Sequence, residues 1–257
     1  MSKLAAEDKF LDLSDYGRPF AKLFANQLKN TRFTPIHVTL LFGVSGLIAI
    51  YCIIQNYFIL SAFFIILKSI IDAADGELSR VKNTPSYTGR YLDSVFDIIL
   101  NFFFFMAICY VSRTPFWMTF LAFFCIQLQG TLYNYYYVIL RNKSVGGDKT
   151  SKIFENKSPR ALPGENQKSV DILFKIYSIV YGAFDKIIYA LDSDAYKAKK
   201  IPNWFMTVVS LYGLGFQLLI IAGMLSFDLI DYIVPFFIIY TLLIIVLIGI
   251  RKTFFTA

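Results

Sequence analysis

The chain has 257 residues, of which 56% are hydrophobic and 18% aromatic, and its formal net charge is +7. A soluble domain of this length buries its core with far less apolar content, so the composition argues against a soluble protein. The apolar residues come in long blocks, which predicts an all-α polytopic membrane protein. The basic residues form no stripe with interleaved aromatic residues, so the charge predicts contact with an anionic lipid bilayer and no nucleic acid.

Residues 1–35 are the first predicted unit, an N-terminal segment without the features of a secretory signal peptide. Within this unit, the apolar spacing predicts an amphipathic helix over residues 7–30. Such a helix can lie in the plane of the membrane interface before the first spanning helix. We therefore expect an N-terminal amphipathic interfacial helix.

Residues 36–257 are the second predicted unit, and they contain six apolar blocks of roughly 20 residues, the length that crosses a hydrocarbon core. The predicted transmembrane helices are 36–55, 57–75, 91–112, 115–140, 203–225 and 228–250. Lys and Arg are concentrated on one side of these spans, in the predicted turn at 76–90, at 141–202 and near the C-terminus. The positive-inside rule therefore places both termini and the 76–90 turn in the cytoplasm.

A polar cytoplasmic insertion at about 141–202 separates the fourth and fifth predicted spans. Its first part, 142–168, is rich in Lys, Gly, Pro and Ser, which predicts a loop. Residues 169–191 have helical periodicity that Asp171, Lys175, Asp185 and Lys186 interrupt. As a seventh span this helix would put the basic C-terminus outside the cell, so we expect it to lie in the cytoplasmic interface.

Four aspartates lie at the predicted cytoplasmic ends of the second and third spans. Asp72 and Asp75 are three residues apart, and Asp93 and Asp97 are four apart, so each pair shares a helix face. Antiparallel neighbouring helices would bring all four carboxylates together. Unpaired carboxylates near hydrocarbon are strongly unfavourable, which predicts that divalent cations neutralise them. Oxygen ligands without Cys or His favour Mg²⁺, Mn²⁺ or Ca²⁺ over zinc.

Small and basic residues accompany these aspartates. Gly76 follows the first pair and Gly89 precedes the second, and a glycine lets a phosphate or a flat base approach the backbone. Arg80 offers a planar fork for phosphate oxygens. Lys68 lies four residues before Asp72 and is placed to balance its charge. The residues predict a site with one or two metal ions that grips a diphosphate at the cytoplasmic membrane surface, with a spare carboxylate as general base.

Several of these residues also have a structural alternative. The aspartates could form an ion-pair network with Lys68, Arg80 and Arg90. His37, the one histidine of the chain, lies at the start of the first predicted span, near the expected site. It is a candidate for substrate contact, and a hydrogen-bonded interfacial histidine is the alternative.

The spacing Asp72-x2-Asp75-Gly76-x2-Ser79-Arg80-x8-Gly89-x3-Asp93-x3-Asp97 resembles the signature of the CDP-alcohol phosphotransferases, D-x2-D-G-x2-A-R-x8-G-x3-D-x3-D. Every spacing agrees, and Ser79 is the one departure, where the signature has Ala. The resemblance implies six spans, an amphipathic helix before the first, and a motif that runs from the second span into the third. Relatives often have Asn after the proline that is Pro35 here, whereas this chain has Ile36.

The resemblance also implies a role for each matching residue. Asp72, Asp75 and Asp93 would bind the metal, two Mg²⁺ or Mn²⁺ ions. Asp97 would complete the metal site or act as the catalytic base on the acceptor hydroxyl. The nucleotide would contact Asp72, Gly76, Ser79, Arg80 and Gly89, and Lys68 is a further candidate for substrate contact. An alcohol would attack the phosphorus distal to cytidine in a CDP-linked donor and release CMP, and the protein would be a homodimer.

Other functions stay open at this point. Within the family, we favour CDP-diacylglycerol as donor and a polar alcohol as acceptor; the alternative is CDP-choline or CDP-ethanolamine with a lipid alcohol. A prenyltransferase would also hold a metal diphosphate between Asp-rich helices, but it would release pyrophosphate instead of CMP. A cation transporter would place acidic residues near the bilayer midplane of several spans, whereas here they lie at one edge.

Overall fold

The computed structural model describes residues 4, 6–144, 155, 157–198 and 201–255. The α-helices of this part of the chain are α1 (Arg18–Leu28), α2 (Pro35–Ile54), α3 (Phe58–Lys82), α4 (Tyr87–Ser112), α5 (Phe116–Lys143), α6 (Gln167–Leu191), α7 (Asn203–Val209), α8 (Leu214–Ser226), α9 (Ile230–Tyr240) and α10 (Leu243–Phe254). Short 3-10 helices lie at Ala6–Asp8, Leu13–Asp15, Ala195–Lys197 and Ser210–Tyr212. No strand occurs among the described residues, so the prediction of an all-α protein is confirmed.

Within the described ranges, fewer helices are apolar enough to cross a membrane than the sequence predicts. Four segments qualify by length and composition: α2, α4, α5 and the continuous stretch Ile230–Phe254 that contains α9 and α10. The stretch from α7 to α8 adds a fifth if it counts as one span, although it bends by 52°. The other predicted span, 57–75, belongs to α3, which carries the charged residues Lys68, Asp72 and Asp75. These helices support a multi-pass membrane protein, but the count of six spans is not confirmed.

The predicted turn over 76–90 is wrong, because α3 continues to Lys82 and α4 already begins at Tyr87. Asn83 ends the helix with a φ of 54°, the left-handed conformation that is common just after a helix. The Ser79 hydroxyl donates to the Thr84 carbonyl at 2.9 Å, and the Thr84 amide donates to the Ser79 carbonyl at 3.0 Å. These bonds reverse the chain within a short link, so α3 and α4 are antiparallel neighbours.

The first turn of α4 is held by two side chains. The Ser86 hydroxyl accepts a hydrogen bond from the Gly89 amide at 2.8 Å, as a helix N-cap does. Glu165 reaches the same turn from just before α6, and its Oε1 accepts from the Thr88 amide and from the Ser86 hydroxyl, both at 2.7 Å. The predicted loop is therefore tied to the start of the helix that carries Asp93 and Asp97.

The predicted amphipathic helix over 7–30 does not form as one helix. Asp12 interrupts it by capping the 3-10 turn Leu13–Asp15, accepting from the Ser14 amide at 3.1 Å. This turn packs against the bend between α7 and α8, where a Cβ atom on Gly215 would lie 1.9 Å from the Ser14 carbonyl oxygen. Only a glycine fits at that position, because the two backbones are in contact.

The remaining part of that segment, α1, packs on α3 through small residues. Ala21 and Ala25 are fully buried, whereas Phe20 and Leu23 are more than half exposed. Phe20 and Leu23 thus face away from the protein, whereas Phe24 and Leu28 pack against the core. This arrangement suits a helix at a membrane interface, and that location stays a prediction.

Helix α6 confirms the helix predicted at 169–191, and both of its ends lie at the same end of the bundle. Near its start, the rings of Phe174 and Tyr177 pack on Tyr91 in the first turns of α4. Just after its end, Asp192 contacts Tyr135 and Tyr136 in the last part of α5. These contacts favour an interfacial helix over a further span. Residues 145–154, 156, 199 and 200 of the insertion lie outside the described residues.

Candidate active site

Three carboxylates meet where α3 and α4 run side by side. Asp72 and Asp75 lie one turn apart on α3, and Asp93 lies in the second turn of α4. Each offers one oxygen atom, and these three atoms all lie within 4.8 Å of one another. Asp72, Asp75 and Asp93 are called the aspartate cluster below.

The surroundings of the aspartate cluster fit a divalent cation. The Thr39 hydroxyl on α2 donates to Asp75 Oδ2 at 2.7 Å. Asp93 Oδ1 is buried and has no hydrogen-bond partner among the described residues. A buried carboxylate oxygen without a partner is unfavourable, and a hard cation with oxygen ligands is the group that satisfies it. The donor set therefore suits the Mg²⁺ or Mn²⁺ expected from the sequence.

Asp97 lies one turn beyond Asp93 and is held by Lys68. The Lys68 side chain is fully buried, and its ammonium forms an ion pair with Asp97 and lies 3.5 Å from Asp72 Oδ2. The ammonium also lies 4.8 Å from the centroid of the Phe42 ring. Lys68 thus lies near Asp72, as predicted for balancing its charge, but Asp97 is the closer partner. Substrate contact by Lys68 stays a prediction.

Protein packing leaves space beside Gly76 but is tight beside Gly89. Neither Gly76 nor Gly89 has a positive φ; among the described glycines that conformation occurs at Gly164. A Cβ atom on Gly76 would meet only the Arg80 guanidinium, at 3.6 Å. On Gly89 it would lie 3.3 Å from the hydroxyl of the N-cap serine, Ser86. Space beside the backbone at Gly76 is consistent with the predicted approach of a nucleotide.

The other predicted nucleotide contacts have partners within the protein. Arg80 pairs with Glu77 at 2.7 Å, and Glu77 accepts from Arg18 at the same distance. Arg90 pairs with Glu155 at 2.5 Å. Of the three basic residues in the ion-pair alternative, Lys68 pairs with Asp97 and lies near Asp72. The Ser79 hydroxyl donates to the Thr84 carbonyl in the link after α3.

His37 lies in the first turn of α2 and is exposed. Its Nδ1 accepts from the Thr34 amide at 3.0 Å, and the Thr34 hydroxyl accepts from the His37 amide at 3.4 Å. This reciprocal pair is a capping box. The hydrogen-bonded alternative therefore describes the residue in this structure, and a substrate contact stays a prediction.

A polar cavity of about 260 Å³ opens beside Asp97, between α4, α5, α6 and α8. Asn101 lines it from α4, and Tyr177, Tyr181 and Asp185 line it from α6. Burial, together with the negative charge of Glu155, raises the pKa of Asp185 to about 6. The aspartate cluster and this cavity thus flank Asp97.

Sequence reasoning missed three residues of this region. Thr39 and Asn101 are polar residues inside apolar helices, a signal that often marks a functional position and was available in the sequence. In the sequence, Asp185 only interrupts the apolar pattern of α6. Its place beside Asp97 depends on how α6 crosses the bundle, which periodicity does not reveal.

Comparison with known proteins agrees with this geometry. The family model described as CDP-alcohol phosphatidyltransferase matches residues 32–159. The match includes helices α2 to α5, and with them the aspartate cluster, Lys68 and Asp97. A search of curated proteins finds no match.

Proposed function

Because the chain belongs to the CDP-alcohol phosphatidyltransferase family, a family of membrane transferases of phospholipid synthesis, we propose that its donor is CDP-diacylglycerol. The acceptor is the hydroxyl of a small polar alcohol, and CMP is released. The observation that carries this proposal is the aspartate cluster, with an unsatisfied carboxylate oxygen, beside the ion pair of Asp97 and Lys68.

Asp72, Asp75 and Asp93 are the residues that would hold the metal, two Mg²⁺ or Mn²⁺ ions. When bound, divalent cations neutralise a pyrophosphate and stabilise the leaving phosphate. The protein contributes half-buried carboxylate ligands that are fixed on two neighbouring helices. Thr39 orients Asp75 through its hydrogen bond.

Asp97 acts as the general base. It takes the proton of the acceptor hydroxyl as the acceptor oxygen forms a bond to the phosphorus distal to cytidine. The bond between that phosphorus and the bridging oxygen of CMP breaks, so CMP leaves with the bonding electrons. Lys68 is a positioning residue: its ammonium holds the Asp97 carboxylate in place.

The nucleotide lies along the motif segment of α3 and the first turn of α4. Gly76 and Gly89 leave the backbone open to the base and the phosphates, and Ser79 closes the link between the helices. Arg80 exchanges its pairing with Glu77 for a phosphate, which its planar guanidinium binds well. The protein acts as a homodimer with the active site and both termini in the cytoplasm, as the bias of its basic residues suggests.

Release of CMP tests the proposal. Purified protein in lipid nanodiscs with Mg²⁺, CDP-diacylglycerol and a mixture of polar alcohols should release CMP and form a phospholipid. Asp97→Asn should abolish both products while the protein still inserts, and Asp231→Asn, a matched change at the exposed start of α9, should not. CMP formed only from CDP-choline or CDP-ethanolamine with diacylglycerol would reverse the assignment of donor and acceptor. Pyrophosphate release, or ion flux without CMP, would contradict the proposal.

A further inference from the structure

The cavity beside Asp97 has a composition that narrows the choice of acceptor. Resting on the proposed function, we propose that this cavity binds the acceptor alcohol and that the acceptor carries an ammonium group and no phosphate. The hydroxyl of such a molecule faces Asp97, and its ammonium faces Asp185 and the rings of Tyr177 and Tyr181.

The charge of the lining argues against an anionic acceptor. Among the described residues that line the cavity, two are acidic, Asp97 and Asp185, and none is Lys, Arg or His. Asp97 is paired with Lys68, and Glu155, which adds negative charge near Asp185, is paired with Arg90. The excess negative charge of the lining is therefore that of Asp185, with which no cation is seen to pair in the described part of the chain. A phosphate would meet repulsion here, because sites for phosphate groups supply basic side chains or backbone amides.

The aromatic residues provide the second part of an ammonium site. The rings of Tyr177 and Tyr181 stack on each other with their centroids 5.0 Å apart, one helical turn from each other on α6. The Tyr181 hydroxyl donates to the Ser94 carbonyl at 2.9 Å, which fixes this ring against α4. Tyrosine faces next to a carboxylate attract ammonium groups through cation–π and ionic interactions.

Asn101 supplies an independent sign that the cavity takes a hydrogen-bond donor. The residue is only 4% exposed, and its Oδ1 has no partner in the described part of the chain. A buried amide oxygen needs a donor, and an ammonium or a hydroxyl group supplies one, whereas a phosphate dianion supplies none.

The size of the cavity assigns it to the acceptor and not to a lipid. A volume of about 260 Å³ lies below the roughly 300–1,000 Å³ of sites for drug-sized ligands, so a small alcohol fits and a diacylglycerol does not. The cavity reaches the carboxylate that would accept the hydroxyl proton. In the reaction, the acceptor oxygen bonds to the phosphorus distal to cytidine, its proton passes to Asp97, and CMP leaves. The ammonium group is unchanged.

Direct binding tests the cavity without any turnover. Tritiated choline, ethanolamine and L-serine are the ammonium probes, glycerol 3-phosphate is the anionic probe, and inositol is the neutral probe, each added to the full chain in nanodiscs without donor. We expect at least one ammonium probe to bind about tenfold more tightly than the anionic and neutral probes. Tighter binding of glycerol 3-phosphate or inositol, or equal binding of all probes, would overturn the inference.

Variants of Asp185 locate the bound ammonium. Asp185→Asn should weaken binding of the preferred probe about tenfold, and Asp185→Glu should restore most of it. Asp171→Asn removes the same charge from the exposed first turn of α6, away from the cavity, and should change nothing. If Asp185→Asn binds the probe as well as the unchanged protein, the ammonium does not lie there and the inference fails.

Turnover separates this inference from the proposed function. If CMP release from CDP-diacylglycerol is fastest with an ammonium alcohol, both the proposed function and this inference are supported. CMP release driven best by a phosphate-bearing or neutral alcohol keeps the proposed function and overturns the inference. CMP release from a CDP-linked ammonium alcohol with diacylglycerol would place the ammonium on the donor, and this also overturns the inference.

Discussion

Acidic side chains lie between the helices at two places at the same end of the bundle, and only one of these places is balanced by the protein. Asp192 is fully buried and accepts hydrogen bonds from the Tyr136 hydroxyl and from Arg251 Nε, both at 2.7 Å. The aspartate cluster and Asp97 bring four carboxylates together, and Lys68 is the one cation seen to reach them among the described residues.

This difference separates a structural role from a binding role. A buried acid with a matched partner holds helices together, and here it joins the end of α6 to α5 and α10. A group of acids with excess charge is stable only when something from outside the chain completes it. The same contrast applies to Asp185, which no described cation pairs with, and to Glu165, whose partners belong to the protein.

The largest effect on CMP release is expected from removing a carboxylate of the aspartate cluster. Asp93→Asn should lower CMP release at least about a hundredfold, because it removes a metal ligand. The stability of the metal-free protein should not fall, since the substitution removes an uncompensated buried charge. Thermal unfolding in EDTA measures the second effect, with Asp231→Asn as the control. A clear loss of metal-free stability would show that Asp93 serves the fold.

The balanced pair should give the opposite result. Asp192→Asn leaves the Arg251 guanidinium buried without its counter-ion, which typically costs about 3–5 kcal/mol of folding free energy. The folded fraction should keep its turnover rate, because Asp192 is part of the structural pair and not of the aspartate cluster. Denaturant unfolding and CMP release, measured on the same sample, check both halves. Normal stability with lost turnover would contradict the division of roles.

The pH dependence of acceptor binding sharpens the comparison at Asp185. Burial, followed by the charge of Glu155, raises the pKa of this carboxyl to about 6, so it is ionised above that pH and neutral below it. Among the described residues, the titratable and charged groups near it are Asp97 and Arg90 on α4, Tyr133 on α5, Glu155, and Tyr177 and Tyr181 on α6.

The KM for an ammonium acceptor should therefore rise as the pH falls through about 6, by up to about tenfold per pH unit below it. Steady-state kinetics at a series of pH values above and below the pKa of Asp185 measure this change in KM. Asp185→Asn should give a higher KM that no longer changes over this range. A KM for the unchanged protein that stays constant through pH 6 would contradict the assignment.

The smallest effect is expected at Glu165. Its partial burial would raise the pKa of the carboxyl, but hydrogen bonds from the Thr88 amide, the Ser86 hydroxyl and the Leu162 amide outweigh this and lower it. Its contribution to stability is therefore present above the ordinary pKa of glutamate and is lost as the pH falls through the lowered value.

Hydrogen exchange at the start of α4 measures this contribution. Glu165→Gln should make the Thr88 amide exchange faster, by about 1 kcal/mol of local opening free energy, the usual worth of one such bond. Exchange at Asp192 should be unaffected. Equal exchange at Thr88 in both proteins would mean that Glu165 does not hold this turn.

The sequence predicted the parts of the site that depend on spacing along one helix. Asp72 and Asp75 share a face because they are three residues apart, and a short link to α4 brings Asp93 to them. The length of the apolar blocks likewise predicted α2, α4 and α5 to within a few residues at most ends. These features follow from local periodicity, which does not depend on how the rest of the chain packs.

The predictions that failed concern where a helix ends or how neighbouring helices are rotated against each other. The sequence predicts Gly76 in a turn, but α3 continues past it because the chain reverses only at Asn83, with Ser79 bonded to Thr84. Lys68 was expected to balance Asp72, yet the rotation of α3 against α4 brings it closer to Asp97. Asp185 reaches the site through the crossing of α6. Tertiary packing decides such contacts, so one sequence cannot predict them.

Binding of Mn²⁺, followed by electron paramagnetic resonance, tests the central claim that the aspartate cluster is a cation site. The protein in nanodiscs should bind Mn²⁺ saturably, Asp93→Asn should weaken this binding about tenfold or more, and Asp192→Asn should leave the affinity of the folded fraction unchanged. Equal Mn²⁺ binding by the unchanged protein and Asp93→Asn, or no saturable binding at all, would contradict the account.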